Sequence, residues 1–120
     1  MAGTPDHPIT VSPNPKRVKV TFAGKVVADT RKALTLQEAS YPPVLYIPRA
    51  DVDMSLLTRT TNSSHCPYKG DASYYSINAD GRTSENAIWS YEQPKDDMTE
   101  IAGYVAFYPN RVDAIEQSPA

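Results

Sequence analysis

Cysteine occurs once in these 120 residues, at Cys66, and histidine only twice, at His7 and His65. A single thiol excludes an internal disulfide and the paired Cys-x-x-Cys spacing of a structural zinc site, so packing must hold the chain together. Glycine is also scarce, with five residues, and no Gly-rich stretch offers the phosphate cradle that nucleotide chemistry uses. No apolar run approaches the roughly 20 residues of a membrane span. The stretch before Pro15 carries Pro, Asp and His where a signal peptide would be apolar. Neither sign of charge dominates: twelve Lys and Arg stand against fourteen Asp and Glu, for a formal net charge of -2. Such a balance creates no long-range field for nucleic acid or anionic lipid. The expectation is a cytoplasmic chain without a nucleic-acid or membrane partner.

What the sequence has instead is proline and tyrosine, eleven and eight residues, scattered among short Val, Ile, Leu and Thr-rich stretches. That mixture predicts a mainly β fold with many turns. The length suits one domain. Residues 1–16, proline-bearing and without apolar period, read as an extended N-terminal arm, and 17–117 as a single β domain. Val18, Val20 and Phe22 alternate with polar neighbours before Gly24, and Val26-Val27-Ala28 follows, which predicts a hairpin. Leu34 and Leu36 share a face of a strand, and Pro42-Pro43 leads extended into Val44 to Ile47. An aspartate in 49–54 is placed to cap a short helical turn. Residues 62–70 read as a polar loop feeding a strand over 71–78, Asp80-Gly81 as a turn, and Ala87 to Tyr91 as a strand with Trp89 and Tyr91 on one side. Met98, Ile101 and Ala102 after Asp96-Asp97 predict one short helix, and 104–108 and 111–116 two last strands.

Chemistry-bearing side chains concentrate in Asn62 to Gly70, where an imidazole, a thiol, an ammonium group and hydroxyls are close in sequence. Cys66 beside His65 and near Lys69 fits an activated nucleophile. However, neighbours on an extended chain point to opposite sides, and a lone cysteine commonly serves as a small buried hydrophobe. A metal reading would join His65 and Cys66 with Asp71, yet ligands are too few to assign a metal or any cofactor. Asp51 and Asp53 have the spacing of paired metal-holding carboxylates, but helix capping explains them as well. The aromatics of the second half, with Tyr74 sharing a face with Ala72 and Ser76, and Trp89 with Tyr91, have the make-up of either a ligand pocket or a core rim.

Four segments carry a resemblance: Val20 to Lys25, His65-Cys66-Pro67-Tyr68-Lys69-Gly70-Asp71-Ala72, Trp89-Ser90-Tyr91, and Ile101 to Tyr108. Together they resemble a bacterial and fungal family of small domains, domain of unknown function 427, over about Pro15 to Ile115. The resemblance implies a small curved antiparallel sheet, tent-like or barrel-like, with one or two short helices. It implies His65, Cys66, Pro67, Lys69, Gly70, Trp89, Tyr91, Gly103 and Phe107 as the family's characteristic residues, and no established activity. A nucleotidyltransferase label attaches to the family, and the phosphate cradle which that chemistry needs is missing from this sequence.

Two readings follow. In the first, a concave face bearing Tyr68, Lys69, Tyr74, Trp89 and Tyr91, with Arg49 brought across, binds a small polar or anionic molecule. In the second, Cys66 is a nucleophile or His65 a general base, and Lys69 stabilises negative charge. A purely structural or oligomerising role, as in a homodimer, is the third alternative.

Overall fold

A computed structural model describes residues Ala2 to Ala120. Eleven strands alternate with short 3-10 segments: β1 (Ala2–Thr4), β2 (His7–Pro13), β3 (Arg17–Phe22), β4 (Lys25–Thr30), β5 (Leu34–Glu38), β6 (Val44–Tyr46), β7 (Leu57–Cys66), β8 (Gly70–Ala79), β9 (Arg82–Ser90), β10 (Val105–Phe107) and β11 (Ala114–Ser118). The fold is mainly β, as expected. The strands form three antiparallel sheets, in the orders β1-β2-β5-β6, β10-β9-β8-β7 and β11-β3-β4, and do not close into a barrel.

The two four-stranded sheets meet edge to edge at one pair, Ile47 and Val105. Strand alternation then sorts the side chains of β8, β9 and β10 onto two faces. Tyr75, Ile77, Ile88, Val105 and Phe107 pack with Val18, Val20 and Phe22 of the three-stranded sheet. Ala72, Tyr74 and Ala106 turn to the other face, where Ile9, Leu36 and Tyr46 of the first sheet meet Met98 and Ile101. The β10-β9-β8-β7 sheet is thus a middle layer with apolar contacts on both sides. Burial of a Val, Ile or Leu side chain contributes about 1.5 to 3 kcal/mol, and these two clusters stand in for the missing disulfide.

Local choices agree with this plan. Asp80 and Gly81 both have positive φ, 51° and 76°, the geometry of a two-residue hairpin turn. Asp53 caps the segment Met54–Leu56 by accepting from Ser55 N at 3.2 Å. The helix expected near Met98 is a 3-10 segment, Asp96–Ile101, that buries Met98 and Ile101.

Two expectations need correction. The polar loop foreseen over 62–70 is mostly strand: β7 runs to Cys66 and β8 starts at Gly70. As the outer strand of its sheet β7 is largely exposed on both sides, so it lacks the apolar alternation by which a strand is read. The proline-bearing N-terminal segment, for its part, is extended but built into a sheet, with β2 paired to β5 from Ile9↔Glu38 to Pro13↔Leu34. Pro13 is tolerated because its missing N–H falls on the outer side of β2, past the end of β1.

Candidate functional site

Glu38 ends β5 on the same side as buried Leu36, two residues earlier, so the strand period carries a carboxylate inward. His7 Nε2 donates to its Oε2 at 2.7 Å, and Lys69 Nζ donates to Oε1. The Lys69 and Glu38 side chains are only 11% and 16% exposed. The His7 ring stacks on Tyr68 at 4.2 Å with planes 10° apart, and Lys69 Nζ lies 5.7 Å from the centre of the Tyr91 ring. Burial pushes the Glu38 carboxyl up, but hydrogen bonds from Lys69 and His7 and their charge outweigh it, leaving it below the usual glutamate range. The turn that delivers Lys69 is fixed by Lys95 N, which donates to Lys69 O at 3.0 Å. Gly70 has φ +114°, and a Cβ there would stand 3.4 Å from the backbone of Pro94 and Lys95. Only glycine fits that position without strain.

Beside Glu38 lies a cavity of about 850 Å³, within the size range of small-molecule sites. One wall comes from Thr35, Val44 and Leu45, and the opposite wall from Val18, Val20 and Ile115 of the three-stranded sheet. Trp89 and Phe107 reach it from the middle layer, and Tyr41, Pro42 and Pro43 form part of its rim. At another point Asn14 Nδ2 donates to Thr35 Oγ1 and Gln117 Oε1, at 3.2 and 3.0 Å. Among the described residues lining it, Glu38 is the one that carries a charge.

Trp89 Nε1 donates to the Tyr46 hydroxyl at 3.2 Å, and its ring packs 4.4 Å from that of Tyr108. Burial raises Tyr46 and Tyr91 well above the ordinary phenol range, and burial with the Tyr74 hydroxyl pushes Tyr108 up to about 12. These phenols are therefore neutral around pH 7 and able to donate.

The sequence-derived site residues fall into different places. Trp89 lines the cavity, and Lys69, Tyr68 and Tyr91 gather around the Glu38 cluster. Tyr74 is buried below Ser64, their hydroxyls 2.9 Å apart. Cys66 is half-buried against the same core. His65 stands apart from that interior group: its side chain is 66% exposed and pairs with Asp71 at 2.7 Å. Arg49 serves another cluster. Its Nε donates to Gly103 O at 2.7 Å and its guanidinium to the Tyr75 hydroxyl and Glu92. Glu92 also holds Arg59 at 3.1 Å, and the hydrogen bonds and charge around it outweigh the effect of burial and keep its carboxyl below the usual range. Among the described residues no group of three or more His, Cys, Asp or Glu is placed to hold a metal ion.

His7, Glu38 and Glu92 were not singled out from sequence. Glu38 carried a usable signal, since it continues the inward period of Leu36; His7 and Glu92 did not.

The chain belongs to the family described as domain of unknown function DUF427, whose sequence model matches residues 10–118. No curated protein matches it. The matched span contains Glu38, Lys69 and every cavity-lining residue, while His7 lies before it.

Proposed function

We propose that this chain is a binding module whose ligand occupies the cavity between β5-β6 and the β3-β11 pair, with the Trp89 ring as one wall. The observation that carries this reading is a cavity of about 850 Å³ lined mainly by apolar side chains, with hydrogen-bonding groups at a few points. Binding sites for small molecules share that composition. The ligand chemistry this supports differs from a polar or anionic one. Lys69 points to Glu38 and is not among the lining residues, so no cation offers itself to an anion. Since Lys69 already balances the Glu38 carboxylate, the lining favours an uncharged, largely apolar molecule with a hydrogen-bond donor for Glu38.

Trp89 is the only tryptophan, so its emission reports directly on occupancy. A thermal-shift screen of metabolites is followed by titration of each hit against Trp89 fluorescence. A ligand at 100 times its dissociation constant adds about 2.7 kcal/mol. Apolar neutral compounds are expected to raise the melting temperature, to change Trp89 emission, and to lose binding when Thr35→Phe fills the cavity. Hits that bind Thr35→Phe as well as the parent chain and leave Trp89 silent would rule this reading out. A catalytic role for Cys66 or His65 has a separate test: a thiol-reactive probe that labels Cys66 quickly at neutral pH would favour it.

A further inference from the structure

Asn14 is held in place from both sides. It stands between Pro13 and Pro15, and the proline that follows it confines it to extended backbone. Its main-chain N donates to Ala33 O at 2.8 Å, and its side-chain Oδ1 accepts from Lys16 N at 2.9 Å. A main-chain N–H can only donate, so the side-chain atom facing Lys16 is the amide oxygen and the other is the nitrogen. The two hydrogens of that nitrogen are then engaged by Thr35 Oγ1 and Gln117 Oε1.

This orientation decides what the two partners still offer. The Thr35 oxygen accepts, so its O–H is left to donate, and the bond from Asn14 polarises it further. The Gln117 oxygen accepts too, so its NH2 is the group left over. Among the described residues, neither group donates to another side chain or to the main chain. Strand register sets both residues beside the cavity: Thr35 shares a face with its partner Leu45, and Gln117 with Ile115, Val18 and Val20, all of which line it. This part of the lining therefore offers donors. Glu38, about 10 Å further along β5, has a carboxylate that only accepts.

We propose that the ligand presents a carbonyl oxygen to Thr35 and Gln117, with its own donor toward Glu38 and an apolar body between the two. This rests on the cavity being a ligand site and names the chemistry it selects. A carbonyl oxygen has two lone pairs and no hydrogen, which matches two donors. An anionic oxygen would match them as well, but among the described residues the lining has no cation and already holds the Glu38 carboxylate. A ligand donor placed here would meet two oxygens that already accept from Asn14.

The test uses the whole chain with two probes of one skeleton: para-hydroxybenzylacetone, and para-butylphenol, in which a methylene replaces the carbonyl. Trp89 emission reports binding, and the infrared carbonyl stretch of the bound ketone reports its hydrogen bonds. The ketone is expected to change Trp89 emission and to bind with its stretch at lower frequency than in an apolar solvent. Thr35→Val keeps the shape of the side chain and removes the hydroxyl, so it should weaken the ketone about 10-fold and leave para-butylphenol unchanged. Asn14→Asp should act in the same sense by another route, because a carboxylate there accepts from Thr35 and Gln117 and engages both donors. Thr35→Val decides; should it fail to fold, Asn14→Asp decides in its place. If the deciding variant weakens both probes alike or neither, or if the stretch of the bound ketone stays at its apolar-solvent value, the carbonyl proposal fails and the cavity reading stands. The same follows if para-butylphenol or other screened compounds perturb Trp89 and the ketone does not. If no probe and no screened compound perturbs Trp89, both fail.

Discussion

Glu38 and Glu92 make an instructive pair. Each is a partly buried carboxylate held by two basic side chains, His7 and Lys69 for the first and Arg49 and Arg59 for the second. Each lies below the ordinary glutamate range, for the same balance of burial against hydrogen bonds and charge. Only Glu38 borders a cavity. Perturbed carboxylates mark structural joints as well as functional sites, and the structural difference between these two is that Glu38 lies beside an apolar hollow. The Glu38 cluster is also the drier one, with its carboxylate side chain 16% exposed against 30% for Glu92.

The largest difference between the two clusters should appear on removing one cation from each. Lys69→Met leaves Glu38 charged and poorly solvated, and should cost about 3 kcal/mol in urea denaturation. Replacing both partners, Lys69→Met with Glu38→Leu, should recover most of that loss, because a buried ion pair competes poorly with apolar packing. If the double variant is no more stable than the single one, the Glu38 cluster does more than balance a buried charge.

Acid should separate them next. A carboxyl whose folded pKa is depressed contributes stability that is present above its unfolded value and is lost as pH falls through the folded one. Stability should therefore begin to fall near the ordinary glutamate value of about 4.3 and continue falling below it. Glu38→Gln should flatten this loss more than Glu92→Gln does. Equal slopes for the two variants, measured by urea midpoints across that range, would contradict the ranking by burial.

Arg59→Ala should have a smaller effect than either. Its side chain is 61% exposed and Arg49 still holds Glu92, so the loss should stay below about 1 kcal/mol. A loss as large as that of Lys69→Met would mean that the Glu92 cluster is the stiffer joint.

The same contrast shows what could be read without coordinates. Alternation of Val18, Val20 and Phe22, of Leu34 and Leu36, and of Trp89 and Tyr91 revealed strands because each has one face in an apolar core. Lys69 and Trp89 stood out by their neighbours in sequence. The edge strand β7 was hidden, since a strand solvated on both faces has no hydrophobic period. His7 was hidden for a different reason: its meaning arises from pairing between β2 and β5, 31 residues apart, and nothing local encodes such a contact. The cavity is lined by residues of all three sheets, so it depends on how they pack together and is a property of no single segment.

Tyr41 should give the smallest effect on stability and still distinguish the two regions. It is 61% exposed, an unusual position for a large ring, and stands at the cavity rim with its edge toward His7 at 6.2 Å. The turn that carries it is held by main-chain groups: Tyr41 N donates to Glu38 O at 3.0 Å, and Tyr41 O accepts from Gln37 Nε2 at 2.6 Å. Both bonds survive loss of the ring, so Tyr41→Ser should change stability by no more than about 0.5 kcal/mol. A ligand seated in the cavity should nevertheless leave more easily once the ring is gone, so the dissociation rate should rise while Arg59→Ala leaves that rate unchanged. Equal dissociation rates in Tyr41→Ser and the parent chain would move the ligand away from this rim, and with it the functional distinction between the two carboxylates.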